Sequence, residues 1–508
     1  MNEFIELWQP TSALVKAFLP EIVLAVAALL VLALDVWLPK DRAKVGFATT
    51  CLALLVAGII PFVVPAEGCQ GSSIFGGIAD GIMFTGPFFL VCAFLTVLLG
   101  KTVRERTEFS APITNHLILV STAAAIALTK ASNFVAFFVL LETLTVSLYA
   151  LVGSYRTSVA SLEAGVKYLI AGGVSGGLML FGIVLLYGAT ALSGVSAGAG
   201  MDVLGYEAVS VALMADPANP IMLVGAAMVL GGVMFKFGVF PMQFWIPDTY
   251  QGAPLHVTFF LATLSKAVGF FMTLVFLVGV FAPAFGGLFP ILLGVTLISM
   301  VYANLAALGQ RKVKRLLGLS GVSHASYMML GILALVKSMQ DRLVTHEAFP
   351  MMVAALMLYI VFYVLSQYPI FAVMARVSAQ AGDEAMQDFG DFRGLAKRSP
   401  VLAGALASGL ASLAGIPPTV GFITKLGILW IVFSAGLYVP AAIMLACVVA
   451  SVYYYFGWMR SIFSTDEGDT AEVTPFAAPG IGARTSLVFF AALTVLGSLV
   501  YFALLALA

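Results

Sequence analysis

The sequence predicts an all-α polytopic membrane protein with about 14 transmembrane helices. Of its 508 residues, 61% are hydrophobic and 10% are charged, whereas roughly 25% of the residues in an ordinary soluble domain are charged. The mean hydropathy is +1.06. A water-soluble fold of this size could not bury so much apolar surface. The apolar residues also occur in runs of about 20, which is the length that a helix needs to cross the hydrocarbon. The chain is therefore expected to lie in a membrane.

Fourteen apolar runs predict the transmembrane helices, and two of them contain helix breakers. The seventh run includes the segment from Lys236 to Pro241, and the twelfth contains Gly415, Pro417 and Pro418. Because proline cannot donate the hydrogen bond of a helix interior, both runs predict broken helices. Such breaks are tolerated at membrane depth where they line a hydrated cavity. The runs are 18–38, 45–65, 82–100, 113–129, 132–153, 159–189, 220–243, 254–283, 288–309, 316–336, 350–375, 400–435, 438–460 and 484–507.

The distribution of basic residues predicts the orientation of the chain. Cytoplasmic loops of membrane proteins carry an excess of Lys and Arg. Most of the 25 Lys and Arg residues fall in one set of alternate loops or inside the runs, and only Lys16, Lys130, Lys337 and Arg342 fall on the opposite side. This alternation is the one that fourteen spans require. Both termini are therefore expected on the non-cytoplasmic side of the membrane.

Composition and motifs argue against several other classes of function. The formal net charge is +0, which excludes a nucleic-acid binder that works through a basic surface. The cysteines Cys51, Cys69, Cys92 and Cys447 have no CxxC spacing, so an iron–sulfur site and a thiolate zinc site are not expected. The sequence also contains no nucleotide-binding loop, HExxH or GxSxG motif. We therefore expect no cofactor, metal or redox site on this chain.

Apart from residues near the ends of the runs, seven ionisable residues are expected inside the apolar runs. A charge at the bilayer centre costs about 2.5–3.5 kcal/mol on insertion scales, so each such residue needs a reason. Burial favours the neutral form of an acid or a base, whereas a nearby opposite charge favours the charged form. A glutamate whose lysine partner can approach or withdraw could therefore switch between these forms, as proton transfer through a membrane requires. The candidates for proton translocation are Glu142, Lys236, Lys266, His324, Lys425, Glu163 and Lys167.

Each candidate also has an ordinary structural explanation. A buried lysine could extend its ammonium to the interface, but Lys236 and Lys425 lie beside the helix breaks. Glu163 and Lys167 are four residues apart with the glutamate first, which is the favourable order for an intrahelical salt bridge. That interpretation competes evenly with a role in the proton path. His324 could simply satisfy one hydrogen bond, but the serines and the tyrosine around it indicate a wet pathway in which a histidine carries protons.

Several motifs together resemble the antiporter-like subunits of respiratory complex I, and the subunit N branch in particular. Residues 235–254 read FKFGVFPMQFWIPDTYQGAP, with the D-x-Y-x-G-A-P form that is similar to this branch. The same branch is matched by EAGVKYL at 163–169, VKRLL at 313–317, SHA at 323–325 and SLAGIPP at 412–418, which is followed by Lys425. The motifs span about residues 130–430.

The resemblance implies a proton-translocating membrane subunit of NADH:quinone oxidoreductase. In this family the glutamate that matches Glu142 pairs with the lysine that matches Lys236. The lysine that matches Lys266 links to the residue that matches His324, and the row ends at the lysine that matches Lys425. The resemblance thus implies that protons move along these five positions, driven by quinone reduction elsewhere in the complex.

The resemblance also implies a domain organisation and partners. The family fold has two inverted five-helix repeats, helices four to eight and nine to thirteen. The expected segments are 1–110 with three helices, 111–285 and 286–460 with one repeat each, and 461–508 with a loop and the last helix. NADH, FMN, iron–sulfur clusters and quinone are expected on partner subunits. The expected partners are neighbouring antiporter-like and small membrane subunits and the lipid bilayer, without nucleic acid.

Two other functions remain open from the sequence. A subunit of an Mrp-type cation/proton antiporter would carry a nearly identical row of charges, although the D-x-Y-x-G form argues against it. A membrane scaffold or a metabolite carrier would leave the cost of burying Glu142 and Lys236 unexplained. Isolation together with flavoprotein and iron–sulfur subunits would favour the complex I interpretation.

Overall fold

The computed structural model describes residues 15–37, 42–63, 79–103, 111–194, 201–343, 348–381, 387–464 and 481–507. Within these ranges the secondary structure is helical, apart from the isolated bridges Asn133–Gly205 and Lys312–Asp388, so the predicted all-α class is confirmed. Cys69 lies outside the described residues. The chain forms two compact units, Met1–Val233 with Val278–Gly287 and Met234–Leu277 with Leu288–Ala508. The predicted repeats and segment boundaries stay a prediction.

The first unit contains the helices that precede the first break, with α8 only as far as Val233. An ion pair between Lys130 and Glu21, 2.5 Å long, joins the end of α4 to the start of α1. Asn133 begins α5 with a side chain that accepts a hydrogen bond from the backbone N–H of Val135, which satisfies a free donor of the first turn. The helices are α1 (Leu19–Trp37), α2 (Arg42–Val63), α3 (Ala79–Val103), α4 (Ala111–Thr129), α5 (Phe134–Val152), α6 (Val159–Leu192), α7 (Tyr206–Ala215) and α8 (Pro220–Phe237).

The remaining helices complete the chain, most of them in the second unit. α13 is buried along nearly its whole length, because apolar and small residues occupy all of its faces. The helices are α9 (Ile246–Gly252), α10 (Leu255–Phe260), α11 (Lys266–Leu274), α12 (Phe285–Leu308), α13 (Val313–Gln340), α14 (Ala348–Ala381), α15 (Leu395–Arg398), α16 (Pro400–Ala414), α17 (Val420–Ser434), α18 (Tyr438–Phe463) and α19 (Ile481–Leu507).

The helices have the lengths that a bilayer requires. In the described ranges, 12 helical spans are long and apolar enough to cross a membrane. The shorter helices α16 and α17 together occupy the twelfth predicted run, and α19 occupies the fourteenth. The prediction of a polytopic membrane protein with about 14 helices is therefore confirmed.

Both predicted helix breaks are present. α8 ends at Phe237, and Gly238 follows with a left-handed φ of 81°. α16 ends at Ala414, and Gly415 follows with a left-handed φ of 80°. Glycine suits both positions because it has no Cβ to clash in the left-handed region. Each break leaves the last carbonyl groups of a helix without partners in the helix itself.

Two features of the helices were not predicted. The eighth span contains two π-helical segments, Leu261–Ser265 and Val275–Val280, and the first of them ends next to Lys266. The loop between the sixth and seventh runs contains α7. The Tyr206 N–H at the start of α7 donates to the Ser132 carbonyl at 2.9 Å, and the Tyr206 ring packs edge-on against Phe134 with centroids 4.9 Å apart. These contacts hold α7 against the start of α5.

Candidate functional site

Lys236 lies at the first break, one residue before the end of α8. Its side chain is buried, with the ammonium 5.5 Å from the centre of the Phe235 ring. The backbone closes the helix here through the N–H of Gly238, which donates to the Met234 carbonyl at 2.8 Å. The indole N–H of Trp245 donates to the Phe235 carbonyl at 3.3 Å, so a side chain satisfies one of the carbonyls at this end.

Lys266 brings a buried ammonium to the same end of α8. The residue is 2% exposed, and its Nζ donates to the Gly321 carbonyl of α13 at 2.7 Å. The Nζ also lies 3.5 Å from the Phe237 carbonyl, at the C-terminus of α8. A helix C-terminus carries partial negative charge, which stabilises a cation. Lys266 is therefore held between two backbone carbonyls that belong to two different helices.

Lys425 occupies the corresponding position at the second break. Its Nζ donates to the carbonyls of Leu413 and Ala414, each at 2.8 Å, and these are the last carbonyls of α16. The residue is 5% exposed. The lysine comes from α17, the second half of the same broken helix. The ammonium therefore compensates the partial negative charge that the break exposes in the interior.

His324 lies between the two lysine sites. Its Nδ1 lies 2.8 Å from the Tyr359 hydroxyl, within hydrogen-bonding distance. The Leu413 carbonyl that accepts from Lys425 also interacts with the His324 imidazole. Gly321, whose carbonyl accepts from Lys266, lies one turn before His324 in α13. His324 thus lies one turn from the α13 carbonyl that accepts from Lys266 and interacts with the α16 carbonyl that accepts from Lys425.

The contacts of Lys266 and Lys425 suit buried ammonium groups. A hydrogen bond to a charged group contributes about 1.5–3 kcal/mol, and insertion of a charge costs about 2.5–3.5 kcal/mol. The hydrogen bonds described above join both ammonium groups to uncharged carbonyls. These hydrogen bonds therefore offset much of the cost of placing an ammonium group in the interior.

Glu142 lies in the first unit, in the middle of α5, where it is half-buried. A Cβ added at Gly176 of α6 would lie 2.8 Å from its Oε1. The carboxylate therefore occupies space that only a glycine leaves open. Glu142 also interacts electrostatically with Tyr149, which follows it by two turns in α5.

Glu163 and Lys167 form the salt bridge that their spacing predicts. The Nζ and Oε1 atoms are 2.6 Å apart, and the side chains are 58% and 45% exposed for the glutamate and the lysine, respectively. The pair lies on an outer face of the chain and not among the buried groups. This placement favours the structural explanation of the pair, and its role in the proton path stays a prediction.

Sequence reasoning missed the groups that connect the ionisable residues. Tyr359 lies in an apolar run and is 2% exposed. Its hydroxyl group is the one feature of the sequence that could have indicated a hydrogen bond to His324. The carbonyls of Gly321 and Leu413 carry no signal at all, because every residue has a carbonyl. The π-helical segment before Lys266 also has no sequence signature that we recognised. These elements become visible only when the helices are placed against one another.

Comparison with known proteins gives a consistent result. The family described as "NADH:quinone oxidoreductase/Mrp antiporter, TM" matches residues 131–452. The "NADH-quinone oxidoreductase subunit N 1" of Opitutus terrae is 40% identical over 499 residues, covering 95% of this chain and 94% of the relative. A chain of respiratory complex I from Thermus thermophilus has a TM-score of 0.71 at 26% identity, covering 95% and 98%. A chain of the Mrp complex from Dietzia sp. DQ12-45-1b has a TM-score of 0.74 at 20% identity, covering 97% and 96%, which is a likeness of fold.

Proposed function

This chain belongs to the NADH:quinone oxidoreductase/Mrp antiporter transmembrane family, and from that premise we propose that it is a proton-translocating membrane-arm subunit of NADH-quinone oxidoreductase, of the subunit N type. The relatives with this name match it over nearly their whole length. The chain would act as part of a translocating enzyme whose redox reaction takes place on other subunits. Its place is the bacterial inner membrane, with both termini on the non-cytoplasmic side.

The observation that carries this proposal is the buried series of bases in the second unit. Lys236, Lys266, His324 and Lys425 are each at most 5% exposed. Lys266 donates to Gly321, one turn before His324 in α13, and the Leu413 carbonyl interacts with both His324 and Lys425. A membrane protein without a proton path would gain stability by replacing them with apolar residues. Protons are proposed to pass along this series, with water completing the steps between groups.

The proposed reaction divides the work between this chain and its partners. NADH, FMN, iron–sulfur clusters and quinone are proposed to bind on partner subunits, because the motifs for these groups are missing from this sequence. The neighbouring partners are other antiporter-like and small membrane subunits. Quinone reduction elsewhere would change the charge state of a neighbour, and Glu142 and the buried bases of this chain would then take up and release a proton.

The test uses the assembled complex in sealed membrane vesicles. Lys236→Met and Lys266→Met are expected to lower the number of protons moved per NADH oxidised, because methionine cannot carry a proton. For Lys266 the decrease is expected to be at least about tenfold, since loss of its hydrogen bond to Gly321 alone is worth about 1.5 kcal/mol. The matched control is Lys337→Met, which removes a lysine of α13 whose side chain is 30% exposed and pairs with Asp341. Unchanged proton movement in both buried variants would remove these residues from the path.

A second candidate is a subunit of an Mrp-type antiporter. The family description covers both classes, and the fold likeness to the Mrp chain is as close as that to the complex I chain. Affinity purification of the tagged chain separates the two. Co-purification of flavin and iron–sulfur absorbance with NADH:quinone activity supports the complex I assignment. A complex without these groups that exchanges Na⁺ for protons in vesicles would support the antiporter.

A further inference from the structure

Lys314 is a buried lysine that the proposed proton path does not use. It is the second residue of α13 and is 2% exposed. Its Nζ donates to the Ala253 carbonyl at 2.7 Å and lies 3.4 Å from the Gln251 carbonyl. Both carbonyls lie at the C-terminal end of α9, where partial negative charge collects. Lys314 therefore ties the start of α13 to the end of α9.

The next residue makes a second connection to the same short helix. The guanidinium of Arg315 donates to Asp248 Oδ1 at 2.6 Å and to Gln251 Oε1 at 3.1 Å. In the Arg315–Asp248 pair both side chains are about one third exposed, so solvent screens this pair more than it screens the buried Lys314 contact. Lys314 is therefore the attachment of α13 to α9 that is shielded from water.

Gly318 brings the two helices into direct contact one turn further along α13. A Cβ at this position would lie 3.2 Å from Ile246 Cγ2 and 3.5 Å from the Ile246 carbonyl and from Pro247 Cα. The absence of a side chain at Gly318 therefore allows the start of α9 to pack on the α13 backbone.

Lys314, Gly318 and Gly321 follow one another at spacings of four and three residues, so they lie on one face of α13. This face meets the end of α9 at Lys314, the start of α9 at Gly318 and the ammonium of Lys266 at Gly321. α9 also connects the first break to the span that carries Lys266. The register between α9 and α13 therefore determines where the Gly321 carbonyl lies relative to Lys266.

We propose that Lys314 is a positioning residue for proton transfer. Its hydrogen bonds to the carbonyls at the end of α9 hold α13 where the Gly321 carbonyl meets Lys266. A displacement of α13 by about 1 Å would lengthen the 2.7 Å contact between Lys266 and Gly321 beyond the range of a hydrogen bond. Lys314 itself does not receive a translocated proton. This inference rests on the proposed function of the chain.

The experiment measures protons moved per NADH oxidised by the assembled complex in sealed vesicles. Lys314→Met is expected to lower this ratio about fivefold or more, and Lys314→Arg, which keeps a donor for the α9 carbonyls, is expected to restore at least half of it. Gly318→Ala keeps every charge and is expected to lower the ratio in the same direction, which keeps the test available if Lys314→Met does not assemble. Arg311→Ala removes an exposed charge from the same end of α13 and is expected to have no effect.

Lys266→Met is measured in parallel to separate the two proposals. A wild-type ratio in Lys314→Met and Gly318→Ala, with the ratio lost in Lys266→Met, would overturn the positioning role and leave the proton path intact. A wild-type ratio in Lys266→Met would overturn the path and the positioning role together. If Lys314→Met lowers the ratio and Lys314→Arg shows the same lowered ratio, the inference would also be overturned. The proposed role needs only a hydrogen-bond donor at this position, and arginine supplies one.

Discussion

Replacement of Gly415 by alanine is expected to displace Lys425 from its carbonyl partners. The backbone at Gly415 has a φ of 80°, and this left-handed conformation costs an L-residue about 1–2 kcal/mol. The added Cβ would lie 2.9 Å from Lys425 Cδ and 3.1 Å from its Nζ. Because the lysine side chain is flexible, it would move away and lose at least one of its two hydrogen bonds, each worth about 1.5–3 kcal/mol.

The loss of about 1.5 kcal/mol corresponds to about a tenfold change in an equilibrium. We therefore expect Gly415→Ala to lower proton uptake per NADH by about tenfold in inverted vesicles, with less assembled complex because of the backbone strain. Gly404→Ala in α16 is the matched control, since a Cβ there meets no heavy atom within 4 Å. Assembled Gly415→Ala complex with wild-type proton uptake would show that the carbonyl contacts of Lys425 do not matter for translocation.

Two further predictions concern the first unit. Gly176→Ala should lower proton uptake at nearly unchanged stability, because its Cβ would meet only the carboxyl group of Glu142, with Oε1 at 2.8 Å and Cδ at 3.5 Å. Gly177→Ala should have no effect, because its Cβ meets nothing within 4 Å. Equal proton uptake in the two variants would contradict the placement of the carboxylate. The double variant Glu163→Lys with Lys167→Glu should retain proton uptake, because an exposed salt bridge needs opposite charges in either order and contributes only about 0.2–0.5 kcal/mol. A swapped variant that assembles without pumping would place the pair in the proton path.

The positions of the helix breaks could be predicted because the signal is local. Gly238 and Gly415 lie a few residues before prolines in apolar runs, and the backbone departs from the helix at both glycines. The buried lysines could be predicted for a similar reason, since a charge within an apolar run costs free energy wherever the run is placed. The residues whose carbonyls accept hydrogen bonds from these lysines could not be predicted, because backbone carbonyls have no sequence signature.

Lys314 shows most clearly where a pattern along the chain misleads. It belongs to a basic loop motif, and by the rule for loop charges it counts as a cytoplasmic surface residue. In the structure it is 2% exposed and caps α9. Glu163 and Lys167 show the converse, since they lie in an apolar run but are exposed. The charge of a residue is known from its type, whereas its burial depends on which helix packs against it.

The sequence by itself determined the membrane class, the spans, the breaks and the set of ionisable residues, because each of these depends on residue type within a window of about 20 positions. Only the tertiary structure decided which carbonyls accept from Lys266 and Lys425, that Tyr359 meets His324, and that α13 approaches α9 at Gly318. These contacts join residues that lie 11 to 72 positions apart in the chain, from Lys425 and Ala414 to Gly318 and Ile246. Their distances follow from helix packing, which depends on the shapes of whole faces and not on any one motif.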